Sequence, residues 1–214
     1  MKKIVLTQEQ VDKLIVVGRV VVKPSVHGVG CVDVPFKISN GGKQFWQYQL
    51  WNSMLSRCFN VRHKETHPTY KDVTCCDEWL SFASFLEWVN KEVGYSGKPD
   101  GMELDKDLII RGNKTYSPNA CSFVPRDVNQ LLNSRAASRG EWPLGVCFDT
   151  CKGRFKVQVN HCGVLQSLGL YSTPEEAFAV YKIAKEAQIK VVALRYRDVI
   201  KTAVFDLLMG WEVD

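Results

Sequence analysis

The chain has 214 residues, 45% of them hydrophobic and 24% charged, with 28 Lys and Arg against 23 Asp and Glu for a formal charge of +5. That is enough for one large domain or two small ones of ordinary globular composition. No window approaches the length of apolar chain that a membrane span needs.

The opening MKKIVLTQEQVDKL starts like an export signal, but the polar TQEQ and Asp12 interrupt any apolar stretch, so a place in the cytoplasm is expected. TQEQVDKLI predicts a short helix. GRVVVK and CVDVPFKI predict strands, separated by the turn signals PSVHGVG and NGG. In residues 44–62, Tyr48, Trp51, Leu55 and Cys58 recur at helical spacing with Met54 alongside, which predicts an amphipathic helix. A polar loop, VRHKETHPTYKD, follows. The next helix, CDEWLSFASFLEWVNKEV, carries Trp79, Phe82, Phe85, Leu86 and Val89 as its core stripe, with Asp77 or Glu78 near its start. GYSGKPDG then breaks the chain.

Residues 102–125 predict a hairpin, and PRDVNQLLNSRAASRG a short helix ending at Gly140. LGVCFDT, RFKVQVN and VLQSLGLYS predict a three-stranded antiparallel meander turning at CKG and HCG. Thr173, Pro174 and Glu176 read as N-cap, first helical residue and capping-box partner of a long amphipathic helix. Phe178, Tyr181 and Ala184 are its expected core side. The expected fold class is α+β, with an N-terminal extension over 1–43, a central domain over 44–139 and a sheet-plus-helix domain over 140–214.

Eight cysteines are scattered without a C-x-x-C pair, so reduced, mostly buried thiols are expected. A structural zinc built from Cys58, Cys76, Cys121 and a nearby histidine is the weaker alternative, because finger-like spacing is missing. Charge is unevenly spread. Residues 111–156 hold eight Lys and Arg against three acids, an excess equal to that of the whole chain. Such clustering suits a phosphate-facing surface or a plainly solvated face.

The strand-turn-strand-helix order of 102–135 is that of a ββα unit. Asp105 and Asp107, two apart on a strand, would share one face. Their carboxylates with the amides of Asn119 and Asn129 are the residue types from which a hard cation draws oxygen ligands. A polar hairpin whose Asp and Asn side chains make turn hydrogen bonds is the competing reading.

The stretches YQLWNSMLSRCFN, HPTYKDVTCCDEWLSFASFLEWV and ELDKDLIIRGNKTYSPNACSFVPRDVNQLL resemble, in order and over residues 44–135, a family of bacteriophage HNH-type, or His-Me finger, endonucleases. The resemblance implies a ββα-finger fold and metal-assisted phosphodiester hydrolysis in a bacterial host's cytoplasm. It makes Asp105 a metal ligand, Lys106 the residue at the general-base position, Asn119 the residue orienting the base and Asn129 the helix ligand, around Mg²⁺ or another divalent cation. The usual base is histidine. Lysine is protonated at neutral pH, so Lys106 would need strong desolvation to serve.

Residues 140–200, through GVCFDTCKGRFKVQV and LGLYSTPEEAFAVYKIAKE, resemble ethylene-response-factor-type DNA-binding domains, whose sheet lies in the major groove. Alternation along GRFKVQV sends Arg154, Lys156 and Gln158 to one side and Phe155, Val157 and Val159 to the helix. Arg139, Lys152, Arg154, Lys156 and Gln158 are therefore the expected DNA contacts, and double-stranded DNA the expected partner. A catalytically inactive protein that binds a host protein is the alternative. The apolar tail after 190 suits a homodimer contact or packing within the chain.

Overall fold

Trp, Phe and Tyr side chains at helical spacing between 45 and 89 can leave water together if two helices face each other. In the computed structural model, which describes residues 7, 9–10, 12–13, 19–94, 100–132, 141–161 and 164–214, α1 (Trp46–Phe59) and α3 (Phe82–Val93) do so. The architecture is α+β with small sheets, and the chain divides into two units, 1–123 and 124–214. The division expected near 139 falls in 133–140, outside the described residues.

The core of the first unit is aromatic. Trp51, Leu55, Trp79, Phe85, Leu86 and Val89 are wholly buried. Trp51 Nε1 donates to the Trp79 carbonyl at 2.7 Å, which satisfies the one polar group of that ring. Ring centroids stand 5.3 Å apart for Trp51 and Phe82, 5.1 Å for Trp79 and Phe85, and 5.8 Å for Trp88 and Phe123. Gly30 lies against this core: a Cβ there would come within 2.8 Å of the Trp51 ring.

Around that core, regular structure is sparse. Of the strands expected at 18–23 and 31–38, the described residues show only isolated bridges, Val26 with Gly30 and Cys31 with Ser81. The regular strands here are two residues each, β1 (Ser39–Asn40) and β2 (Lys43–Gln44). Pro24 and Pro35 cannot donate to a ladder, and Val21 stands fully exposed. The segment is fixed by side chains instead. Buried Asp33 accepts from the Ala83 amide at 2.9 Å and from Ser81 Oγ at 2.7 Å, while Ser81 Oγ accepts from the Ser84 amide. A carboxylate and a hydroxyl thus cap the N-terminus of α3, where the orphan amides and the dipole favour negative charge.

Three other expectations change. The loop expected over 61–72 folds as α2 (Val61–Thr66) and a 3-10 turn (Pro68–Tyr70), because Asn60 caps α2 by accepting from the His63 amide. The helix expected from Asp77 starts after Ser81, with Asp77–Leu80 forming a separate 3-10 turn. The predicted hairpin is also divided. Strand β4 (Met102–Asp105) pairs with β6 (Ser122–Pro125), whereas β5 (Thr115–Tyr116) runs parallel to β3 (Thr74–Cys75).

The second unit begins with β6's last residues and α4 (Arg126–Leu132), and it carries the meander that alternation predicts: β7 (Val146–Asp149), β8 (Arg154–His161) and β9 (Val164–Tyr171), antiparallel in that order. Helix α5 (Pro174–Arg195) opens with Thr173 Oγ1 accepting from the Glu176 amide, and Glu176 accepts from the Ser172 amide. It buries Ala177, Tyr181, Ile189, Val192 and Ala193, while Phe178 and Ala184 are only half-buried. Gln188 Nε2 ties the helix to the Asn160 carbonyl of β8 at 2.8 Å. The helix stops at Arg195 instead of running on, and α6 (Thr202–Met209) contributes buried Val204 and Leu208. Gly145, at φ +76°, lies where any Cβ would enter the Tyr181 ring.

Candidate functional site

In the first unit, β4 alternates as a half-buried strand should, with Met102 and Leu104 inward and Glu103 and Asp105 half-buried. The strand ends at Asp105, so Asp105 and Asp107 do not share a strand face. Asp105 Oδ1 instead accepts from the Asp107 amide at 3.0 Å and the Leu108 amide at 2.7 Å, a turn closed by its own side chain. Burial and the neighbouring Asp107 push the Asp105 carboxyl above the usual carboxylate range, against those amides and Lys106.

Lys106 Nζ lies 3.2 Å from Asp107 Oδ2 and donates to the Asn113 carbonyl at 3.3 Å. Both partners are acceptors, so the Nζ hydrogens are directed at them. Asn113 staples the loop: its Nδ2 donates to the Lys106 and Thr115 carbonyls at 2.6 and 2.7 Å, and its Oδ1 accepts from the Thr115 amide. Sequence reasoning passed over Asn113, although the Gly-Asn pair is a turn signal. Lys114 is held by Asp72 at 2.7 Å, and that bond holds the Asp72 carboxyl below its ordinary range.

Asn119 is exposed in the turn 118–120, whose backbone is closed by the Ala120 and Cys121 amides donating to Ser117. Asn129 belongs to the other unit, half-buried on α4. Among the described residues no three His, Cys, Asp or Glu side chains converge on a point that could hold a metal ion. Asp105 Oδ1 is taken by two amides, and Asp107 Oδ2 lies 3.2 Å from Lys106 Nζ in the same turn.

The seven described cysteines are free. Burial pushes the Cys121 thiol up to about 12, and a hydrogen bond with Cys58, then burial, raises the Cys75 thiol above its ordinary value. Cys58 therefore meets Cys75, where the zinc reading had paired it with Cys76. His27 Nε2 lies 3.0 Å from Asn52 Oδ1, a structural role in the N-terminal turn.

In the second unit, the sheet places the remaining candidates. Val157 and Val159 are buried and Phe155 half-buried, while Arg154 is exposed and Lys156 and Gln158 are half-buried. Lys156 sits opposite Cys147 and Leu170, Gln158 opposite Ser167, and Arg154 opposite Asp149. A register shift between Val157 and Gln158 bends the strand at the middle of that row. Asp149 is committed to the hairpin turn, its Oδ1 accepting from the Cys151 and Lys152 amides at 3.1 Å each. Lys152 is exposed at the tip of that turn. Arg139 lies outside the described residues. The described helices include none long and apolar enough to cross a membrane.

No family model, curated protein or solved structure matches this chain.

Proposed function

We propose that this chain is a phage-type DNA-binding protein that uses the sheet of its second unit as the binding surface, and that its 102–125 loop does not cut DNA through Lys106. The supporting observation is the alternation along β8: apolar Val157 and Val159 are buried, and Lys152, Arg154, Lys156 and Gln158 are at least partly open to solvent, with Asp149 occupied in its own turn. Lys and Arg would neutralise phosphates and release counterions. Arg154 suits a bidentate pair with guanine, and Gln158 with adenine, in a major groove about 12 Å wide that admits a β-ribbon.

The turn around Asp105 supports a binding role without cleavage. Its carboxylate oxygen holds two backbone amides, and the lysine at the base position is paired with Asp107. A second reading, capture of a host protein, draws on α5, where Ile183, Val191 and Leu194 lie along one face and are 70%, 52% and 54% exposed.

A mobility and nicking assay with supercoiled plasmid in Mg²⁺, Mn²⁺ and EDTA separates these readings. Salt-sensitive retardation of intact plasmid is expected. Metal-dependent nicking that is lost in Asp105→Ala would restore the nuclease reading. Neither nicking nor retardation would favour the host protein.

A further inference from the structure

The segment 57–71 contains four basic side chains, two imidazoles and one carboxylate, Glu65, which is exposed. Arg57 in the last turn of α1 is half-buried. Its Nη1 donates to Tyr116 Oη at 3.1 Å, and its guanidinium carbon stands 5.5 Å from the Tyr70 ring centroid. Among the described residues no carboxylate bonds it. Tyr116 is no substitute for one: burial pushes its phenol up to about 12, so it stays neutral. A guanidinium offers five donors and cannot lose its charge. Partly withdrawn from water, and with the neutral Tyr116 hydroxyl as its acceptor among the described residues, it is a cation that an anion would complete.

Two imidazoles stand beside it. His63 and His67, one helical turn apart, stack with centroids 4.4 Å apart and 14° between planes, and both face Tyr70, at 5.5 and 6.4 Å. Among the described residues His63 Nε2 is buried with no hydrogen-bond partner. Such a polar atom usually has a partner. Burial, then His67 and Arg57, keep His63 less basic than an ordinary histidine. Exposed His67 has Nδ1 2.9 Å from Thr66 Oγ1 and 3.2 Å from the His63 carbonyl. The single Thr66 hydroxyl proton points to the Arg62 or His63 carbonyl, so His67 Nδ1 carries the hydrogen and its Nε2 is left for a ligand.

We propose that Arg57, His63 and His67, with the Tyr70 and Tyr116 phenols, form a binding site for a phosphate group. Donors reach it from α1, α2, the 3-10 turn and β5, so they do not lie in one plane. A tetrahedral oxyanion can serve such a set, and the Arg fork takes two of its oxygens at once. The site is in the first unit and independent of the sheet. Its ligand is a nucleic-acid backbone phosphate or the free ion, which share this chemistry.

Inorganic phosphate is titrated into the full chain while the Arg57 Nε–H and the His63 and His67 ring signals are followed by NMR, with sodium chloride at matched ionic strength as control. Saturable shifts at these three residues are expected with phosphate alone. Arg57→Lys, which keeps the charge but loses the fork, should weaken binding about tenfold. His67→Ala, at an exposed position that should not disturb folding, should weaken it severalfold. A short oligonucleotide that shifts the same signals at much lower concentration identifies a backbone phosphate; equal affinity per phosphate identifies the free ion. Equal shifts with chloride, no saturable shift, or unchanged affinity in a folded His67→Ala variant would overturn the site.

Discussion

The two units solve the same problem, burying apolar surface while satisfying the backbone, by different means. In the second, eight-residue strands β8 and β9 pair along their length, and α5 covers Val157 and Val159. In the first, the ladders are two to four residues long, and the chain is placed by aromatic packing and by side chains that bond to backbone: Asp33 on α3, Asp105 on its turn, Asn113 across the loop. A ladder tolerates the loss of one side chain, because its neighbours keep the backbone in register. An aromatic core holding irregular segments has no such reserve.

That contrast sets the order of effects. Trp51→Ala should be the most damaging change, removing a wholly buried indole and stranding the Trp79 carbonyl, at a cost of about 3–5 kcal/mol. Denaturant unfolding followed by the remaining tryptophans checks this. A cost under about 1 kcal/mol would show that the core of the first unit is not what orders its loops.

Gly145→Ala is the corresponding blow to the second unit, because the methyl meets the Tyr181 ring at a backbone angle that L-residues avoid. About 2–3 kcal/mol is expected from overpacking and strain, read from the same unfolding curves. A neutral outcome would mean that α5 can slide on its sheet.

The smallest effects are at Asp105, and they separate turn-building from catalysis. Asp105→Ala leaves two amides without their acceptor and should cost about 1–2 kcal/mol, whereas Asp105→Asn keeps an acceptor oxygen and should cost little. The folded carboxyl binds its proton more tightly than the unfolded one, because burial and Asp107 raise it from 3.8. The stability this contributes is present below the unfolded value and is lost as pH rises through the folded one. Melting from pH 3 to 7 should therefore show Asp105→Asn gaining on the parent as pH rises, and an opposite trend would refute the burial argument.

The same contrast explains what could be read in advance. Strict alternation in RFKVQV and a full capping box at Thr173 carry their structure locally, so the meander and the start of α5 were legible to within a residue or two, whereas the end of α5 at Arg195 was not. The β-branched runs near Val21 and Val34 promised strands, but strands need partners, and Asp33 was spent on a helix cap fifty residues away. The start of α3 was misplaced for a related reason: Ser81 makes the cap, and the acids before it form a separate turn. At the candidate site, the types of Asp105, Lys106 and Asn119 were plain. Their commitments were not, because the Asn113 staple and the parallel pairing of β5 with Thr74–Cys75 are non-local.

The proposed role of the polar row of β8 is to bind DNA. Its most direct test is the salt dependence of duplex binding for the parent chain and for the double variant Arg154→Ala, Lys156→Ala. Two lost phosphate neutralisations should weaken binding and lower the slope of log K against log salt by about one for each cation removed. Unchanged affinity and slope in a folded double variant would contradict the account.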